Sequence, residues 1–209
     1  MAEIIPAILT ADPADLKTKL GKLEGLTNWV SIDIADGKFV ANKTLAVSDL
    51  AGIQTSLSLE IHLMVNEPEK YFDDCQKAKA QRVVFQLEAV AQADQVLAKA
   101  KEFDFAIGIA LKPATALTEV SLYLDRIDAV LLLGVNPGWQ GQEFIPQTLE
   151  RIQRLKKMAA KVKIEVDGGI NADNIKQVAQ AGADILVVGS AIVKQPDFGR
   201  AIENLKRLI

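Results

Sequence analysis

The sequence predicts a single α/β domain over residues 1–209, folded as a (β/α)8 barrel. Three observations carry that prediction. Eight short runs are near-continuously apolar and rich in Val, Ile and Leu, the pattern of strands covered on both faces in a parallel sheet. The segments between them mostly set Lys, Glu and Gln against Leu, Ala and Ile at helical spacing. The strand–helix unit recurs roughly every 25 residues, and a chain of this length suits one barrel. An open doubly wound sheet is the competitor that the same alternation allows. No Pro/Gly/Ser-rich linker divides the chain.

The strands begin near Ile4, Trp29, Leu57, Arg82, Phe105, Ile127, Val162 and Asp184. The clearest helical periods cover 17–26, 67–79, 92–102, 148–158 and 171–181. Asp12 before Pro13 reads as an N-cap with proline at the first helical position. Asn171 reads as a second N-cap and Gly182 as a helix stop. The longest irregular stretches, 35–46 and 135–147, each follow a strand. In a barrel they lie at the carboxyl-end face, where sites form.

Composition removes several function classes. The net charge of -3 offers no attraction for nucleic acid or an anionic membrane. Cys75 is the single cysteine, so no disulfide framework exists, and its helix-like surroundings read as those of a packed thiol. Met1-Ala2-Glu3 shows no basic region leading into an apolar run. No stretch approaches the ~20 apolar residues of a membrane span. The expectation is a cytoplasmic protein.

Strand parity selects the inward side chains, because successive residues face opposite sides. Ser31 and Asp33 share one face of the second strand and the β-branched residues the other, which suits helix packing. Glu60 pairs with His62 on the third strand, and Glu165 with Asp167 on the seventh. Asp33, His62 and Asp167 should thus point inward near the carboxyl ends of their strands. Burying such carboxylates costs several kcal/mol unless they are paired or metal-bound. A lone histidine on a strand is more often a hydrogen-bonded core residue than a ligand, and only its company argues otherwise. Two carboxylates on opposite walls suit proton removal from one face of a carbon and return on the other. With the histidine they also make a three-ligand set for zinc, iron, manganese or cobalt, which would stabilise an enediolate.

Glycines supply the second constellation. Gly168 and Gly169 follow the seventh strand, and Gly189 and Ser190 follow the eighth, opening a short helix-like segment. Exposed amides there suit a phosphate, which barrels often bind after these two strands. Glycines that merely make tight turns are the plainer alternative. A third loop, 136–142, carries Gly138 and Gly141 and could close as a lid. Trp139 within it reads either as a lid residue or as a contact between copies.

The motifs resemble the ribulose-phosphate 3-epimerase family nearly end to end and in order. The matching blocks are Pro6-Ala7-Ile8-Leu9-Thr10-Ala11-Asp12, Ile32-Asp33-Ile34-Ala35-Asp36-Gly37, Ile61-His62-Leu63-Met64-Val65, Glu88-Ala89, Val135-Asn136-Pro137-Gly138, Val166-Asp167-Gly168-Gly169 and Gly189-Ser190-Ala191-Ile192. The resemblance implies a metal-assisted epimerase that inverts carbon 3 of ribulose 5-phosphate in the pentose phosphate pathway. It implies that Asp33 and Asp167 are the acid/base pair, and that Asp33, His62 and Asp167 are three of four metal ligands. It also implies a homo-oligomer. Ser31 stands where the family has its fourth ligand, a histidine. Met64 matches a methionine lining the substrate pocket, whereas Ala35 and Leu133 stand at two others. Ala7 replaces a serine of the pocket, Gln86 a histidine of many members, and Gln140 a glycine. These departures admit two alternatives: an altered or inactive phosphosugar-binding barrel, or an epimerase for another ketose phosphate such as allulose 6-phosphate. A related barrel decarboxylase would carry a lysine between Asp33 and Asp36, where none stands. Lys112 is the nearest candidate for a Schiff-base aldolase, and a solvated or phosphate-facing role suits it better.

Overall fold

A computed structural model describes residues 2–159 and 161–209; Met1 and Ala160 lie outside the described residues. Eight strands, β1 (Glu3–Ile8), β2 (Trp29–Ala35), β3 (Ser58–Met64), β4 (Ala80–Gln86), β5 (Ala106–Leu111), β6 (Ala129–Leu133), β7 (Lys163–Asp167) and β8 (Ile185–Val188), form a closed barrel. Each runs parallel to the next, and β8 closes on β1 through Glu3 opposite Ile185 and Pro6 opposite Val188. Closure leaves no sheet edge and rules out the open doubly wound sheet.

The helices are α1 (Pro13–Leu23), α2 (Phe72–Lys77), α3 (Ala93–Ala100), α4 (Leu117–Ser121), α5 (Thr148–Met158), α6 (Ile175–Ala181), α7 (Ser190–Val193) and α8 (Phe198–Lys206). α5 spans the expected 148–158. α1 starts where Asp12 and Pro13 indicate: the Asp12 carboxylate accepts from the Ala14 amide at 2.9 Å, satisfying an amide the helix leaves open. Two expectations are corrected. The 67–79 period opens in a 3-10 turn, Pro68–Tyr71, followed by the short α2, and Glu67, with a left-handed φ of 54°, stands outside both. Asn171 does not cap α6. Its Oδ1 accepts from the Asp173 amide, and its own amide donates to Asn174 Oδ1, so it closes Asx turns ahead of a helix that starts at Ile175. Between β2 and β3 a 3-10 turn, Val47–Leu50, takes the place of a helix among the described residues. Buried Leu45, Val47 and Leu50 cover the barrel there.

The main core lies between barrel and helices, where outward residues such as Ile32, Ile61, Val83, Ile109, Val130 and Ile164 are fully or nearly fully buried. The barrel interior is different. Ile5, Ala7, Ile185 and Val187 form one apolar patch, and Val84, Ala110, Leu131 and Leu133 another. Between the two lie buried Ser31, Asp33, Glu60, His62, Arg82, Gln86 and Glu165. Arg82 makes this tolerable. Its Nε donates to Glu60, its Nη2 lies 3.6 Å from Glu165 Oε2, and its guanidinium stacks 4.7 Å from the Trp29 ring centroid.

Candidate active site

Register brings the inward side chains together. Asp33 on β2 lies directly beside His62 on β3, and His62 Nδ1 is 2.9 Å from Asp33 Oδ1. Asp167, ending β7, reaches across so that its Oδ2 is 3.8 Å from the same nitrogen. One ligand atom from each of the three residues lies within 4.8 Å of the others. His62 is 1% exposed and the Asp167 side chain 14%. Asp33 and Asp167 therefore face a cleft, with His62 buried behind them and Asp167 the more exposed carboxylate.

Burial is the largest influence on the Asp167 carboxyl. With the negative charge of Asp33 beside it, burial pushes the group up to about 8, against the opposing pull of His62 and the Gly168 amide. Burial alone would lower His62, but its hydrogen bond to Asp33 and the charges of Asp33 and Asp167 outweigh this and raise it. Deeper in the barrel Glu165 is raised by burial and by Glu60, which Arg82 only partly offsets. Like charges packed this closely favour retention of a proton or recruitment of a cation.

The cleft above the trio is lined by Asp33, Met64, Asp167, Gly138, Gly141, Gly168, Gly169, Gly189 and Ser190, with Leu9, Leu133 and the rest of the 136–142 loop. Ala7 lies outside this lining, in the apolar patch below. Ser31 is buried and its Oγ has no hydrogen-bond partner. Trp139 is 60% exposed at the rim. The Lys112 side chain sits with its Nζ 4.1 Å from the Phe39 ring centroid, a cation–π contact. Cys75 is buried, and burial pushes its thiol up to about 12, the state of an inert packed cysteine.

The glycines have a structural reason of their own. Gly168 and Gly169 take φ values of 101° and 72°. A Cβ on Gly169 would lie 2.6 Å from the Phe144 amide nitrogen. Gly189 has an ordinary φ, but a Cβ there would meet Gln140 Nε2 at 2.8 Å. Glycine is demanded at 169 by loop packing whether or not an anion binds, whereas at 189 the Gln140 side chain could move aside. Two polar residues beside the trio went without a role in the sequence. Gln140 crosses the mouth toward the Ala7 carbonyl at 3.5 Å, and Gln86 Nε2 lies 2.8 Å from His62 Nε2. Their only local signal is a polar side chain where apolar or small residues surround it.

Comparison with known proteins agrees with this arrangement. The model of the ribulose-phosphate 3 epimerase family matches residues 3–193. The chain belongs to the ribulose-phosphate 3-epimerase family. Within it, the ribulose-phosphate 3-epimerase of Escherichia coli K12 is 35% identical over 97% of this chain and 94% of that protein. The Bacillus subtilis ribulose-phosphate 3-epimerase is 36% identical over 99% of both. Among solved structures, 3-hexulose-6-phosphate synthase from Salmonella typhimurium matches this family member with a TM-score of 0.74 at 18% identity, covering 99% of this chain and 97% of the other. A mutant tryptophan synthase α-subunit from Pyrococcus furiosus reaches 0.75 at 16%, with the same coverage. At such identities they establish the barrel alone. No described helix is long and apolar enough to cross a membrane.

Proposed function

We propose that the protein epimerises ribulose 5-phosphate at carbon 3, with Asp33 and Asp167 as the paired acid and base. The observation that carries this reading is the meeting of two carboxylates, from β2 and β7, around one imidazole beneath a glycine-rimmed cleft. One carboxylate takes the proton from carbon 3, and the other returns a proton to the opposite face. The roles exchange for the reverse reaction. Without a cation, Asp167 near pH 7 holds the proton to be delivered, and Asp33, steadied by His62, accepts one. The low exposure of the trio keeps bulk water from reprotonating the carbon at random.

The donor set fits a divalent cation. Two carboxylates and an imidazole converge, and the surrounding burial leaves their charge poorly compensated. Asp33, His62 and Asp167 would hold zinc, iron, manganese or cobalt, and Ser31 offers at most a neutral hydroxyl as a fourth partner. A bound ion would supply positive charge to the enediolate oxygens. The amides of Gly168, Gly169, Gly189 and Ser190, with those of Gly138 and Gly141 in the lid, are the proposed phosphate cradle. Met64 flanks the reacting carbons, and Ala7 supports the pocket from beneath. A cytoplasmic setting and self-association belong to the same proposal on family resemblance.

Solvent deuterium tests this. It should enter ribulose 5-phosphate at carbon 3, and Asp33→Asn or Asp167→Asn should slow the exchange by roughly 100-fold or more. Absence of exchange with ribulose 5-phosphate and allulose 6-phosphate, with each of the four ions supplied, would refute it. The unpartnered Ser31 hydroxyl favours one second reading, a phosphosugar-binding barrel that no longer turns over. Tight binding without exchange would be its signature.

A further inference from the structure

We propose that Gln86 is a positioning residue that can donate or accept at His62 Nε2 and so supports the ring with its proton on either nitrogen. It would thereby let His62 offer Asp33 a hydrogen bond in one state and a cation a lone pair in the other. The inference rests on the reading above, in which Asp33, His62 and Asp167 hold a divalent ion.

Three neighbouring strands contribute one hydrogen-bonded row, Gln86 on β4, His62 on β3 and Asp33 on β2. Gln86 is fully buried and His62 is 1% exposed, so water cannot substitute for a missing partner. In the observed arrangement the Gln86 amide nitrogen donates to His62 Nε2 at 2.8 Å. In the neutral ring that nitrogen is then bare, which puts the proton on Nδ1, 2.9 Å from Asp33 Oδ1. Nδ1 is also the nitrogen that faces Asp167. A cation among the three residues needs the Nδ1 lone pair, so its arrival must move the proton to Nε2. The displaced proton then needs an acceptor at the far side of the ring. Gln86 has one in place: its Oε1 is buried and has no hydrogen-bond partner. Turning the amide over exchanges its nitrogen and oxygen with almost no change of shape. A carboxylate could serve only the cation-bound state and an ammonium only the cation-free state, whereas a primary amide serves both. An outer partner that fixes the tautomer of a ligating histidine tunes metal affinity in general.

His62 is the only histidine in the chain, so tag-free protein labelled with 15N-histidine gives one imidazole whose two nitrogens are read without assignment. Long-range 1H–15N correlation at one alkaline pH at which the ring is neutral, with chelator and then with Zn2+, tests the proposal without substrate. Wild type should carry the proton on Nδ1 in chelator and on Nε2 with Zn2+. Gln86→Leu should keep Nδ1–H in chelator, where Asp33 holds that proton, and bind Zn2+ about 10- to 100-fold more weakly, because the Nε2 proton then lacks an acceptor. Gln86→Glu, which keeps an acceptor, should show the proton on Nε2 even in chelator and retain Zn2+ binding. The proposal is overturned if Gln86→Leu matches wild type in Zn2+ affinity, or if wild type keeps Nδ1–H with Zn2+ bound. Should the leucine variant not fold, wild type and Gln86→Glu decide by the same signals. No response of either nitrogen to Zn2+ overturns the inference together with the cation assignment. Deuterium exchange by wild type, lost in Asp33→Asn, would still uphold proton transfer in that event.

Discussion

At the scale of single residues, Asp167 couples the candidate chemistry to stability. Its ordinary carboxyl value is 3.8, and the folded protein without a cation holds it near 8. The folded state therefore binds this proton more tightly than the unfolded chain. Its contribution is full below about pH 4 and is lost as pH climbs through the folded value near 8. In chelator, the denaturant midpoint should fall over that interval, and Asp167→Asn should flatten the fall. Glu165, raised by burial, has the same sign, so the flattening is partial. Adding Zn2+ should restore wild-type stability at pH 8 more than at pH 5, because only the ionised carboxylate ligates well. A midpoint that rises with pH in chelator would contradict the charge arrangement described for the trio.

At the scale of elements, the junction of β6, its following loop and the end of β7 shapes the cleft. The Gly134 amide donates to the Asp167 carbonyl at 2.6 Å, and the Ile145 amide to the Gly134 carbonyl at 2.8 Å. These bonds fold the loop back so that Phe144 lies against Gly134 and Gly169. Gly169→Ala should combine an unfavourable φ with a backbone clash and destabilise by more than about 2 kcal/mol in denaturant titration. A smaller loss would mean that the loop yields easily, as a lid must. Asp12→Ala removes the one side-chain cap of α1 and should lower stability by about 1 kcal/mol. It should leave deuterium exchange unchanged, since the cap stands apart from the trio and its cleft.

At the scale of the whole molecule, the barrel interior is an ionic seam between two apolar patches. Arg82 neutralises Glu60 and partly Glu165 within it. Arg82→Met should destabilise by about 3–5 kcal/mol, because it strands buried carboxylates. Replacing Arg82, Glu60 and Glu165 together by apolar residues should recover much of that loss. Thermal melts of the single and triple variants compare the two.

Much of this was legible along the chain. Alternation within a strand is local, so parity alone turned Asp33, His62 and Asp167 inward, and the apolar runs with their helical spacers specified a parallel barrel. Helix bounds were less legible where Asx turns compete with capping, as at Asn171, or where a period opens in a 3-10 turn behind a left-handed residue, as after Glu67. Glycines were ambiguous for another reason: tight loop packing and anion binding both call for the absence of a Cβ, as Gly169 illustrates. Gln86 and Arg82 stood in β4 as isolated polar residues without evident partners. Only the closed barrel decided that Gln86 meets His62, that Arg82 meets two glutamates, and that β7 brings Asp167 to Asp33. Those contacts depend on register between strands far apart in sequence, and ring closure sets that register, whereas the periodicity of any one strand is blind to it.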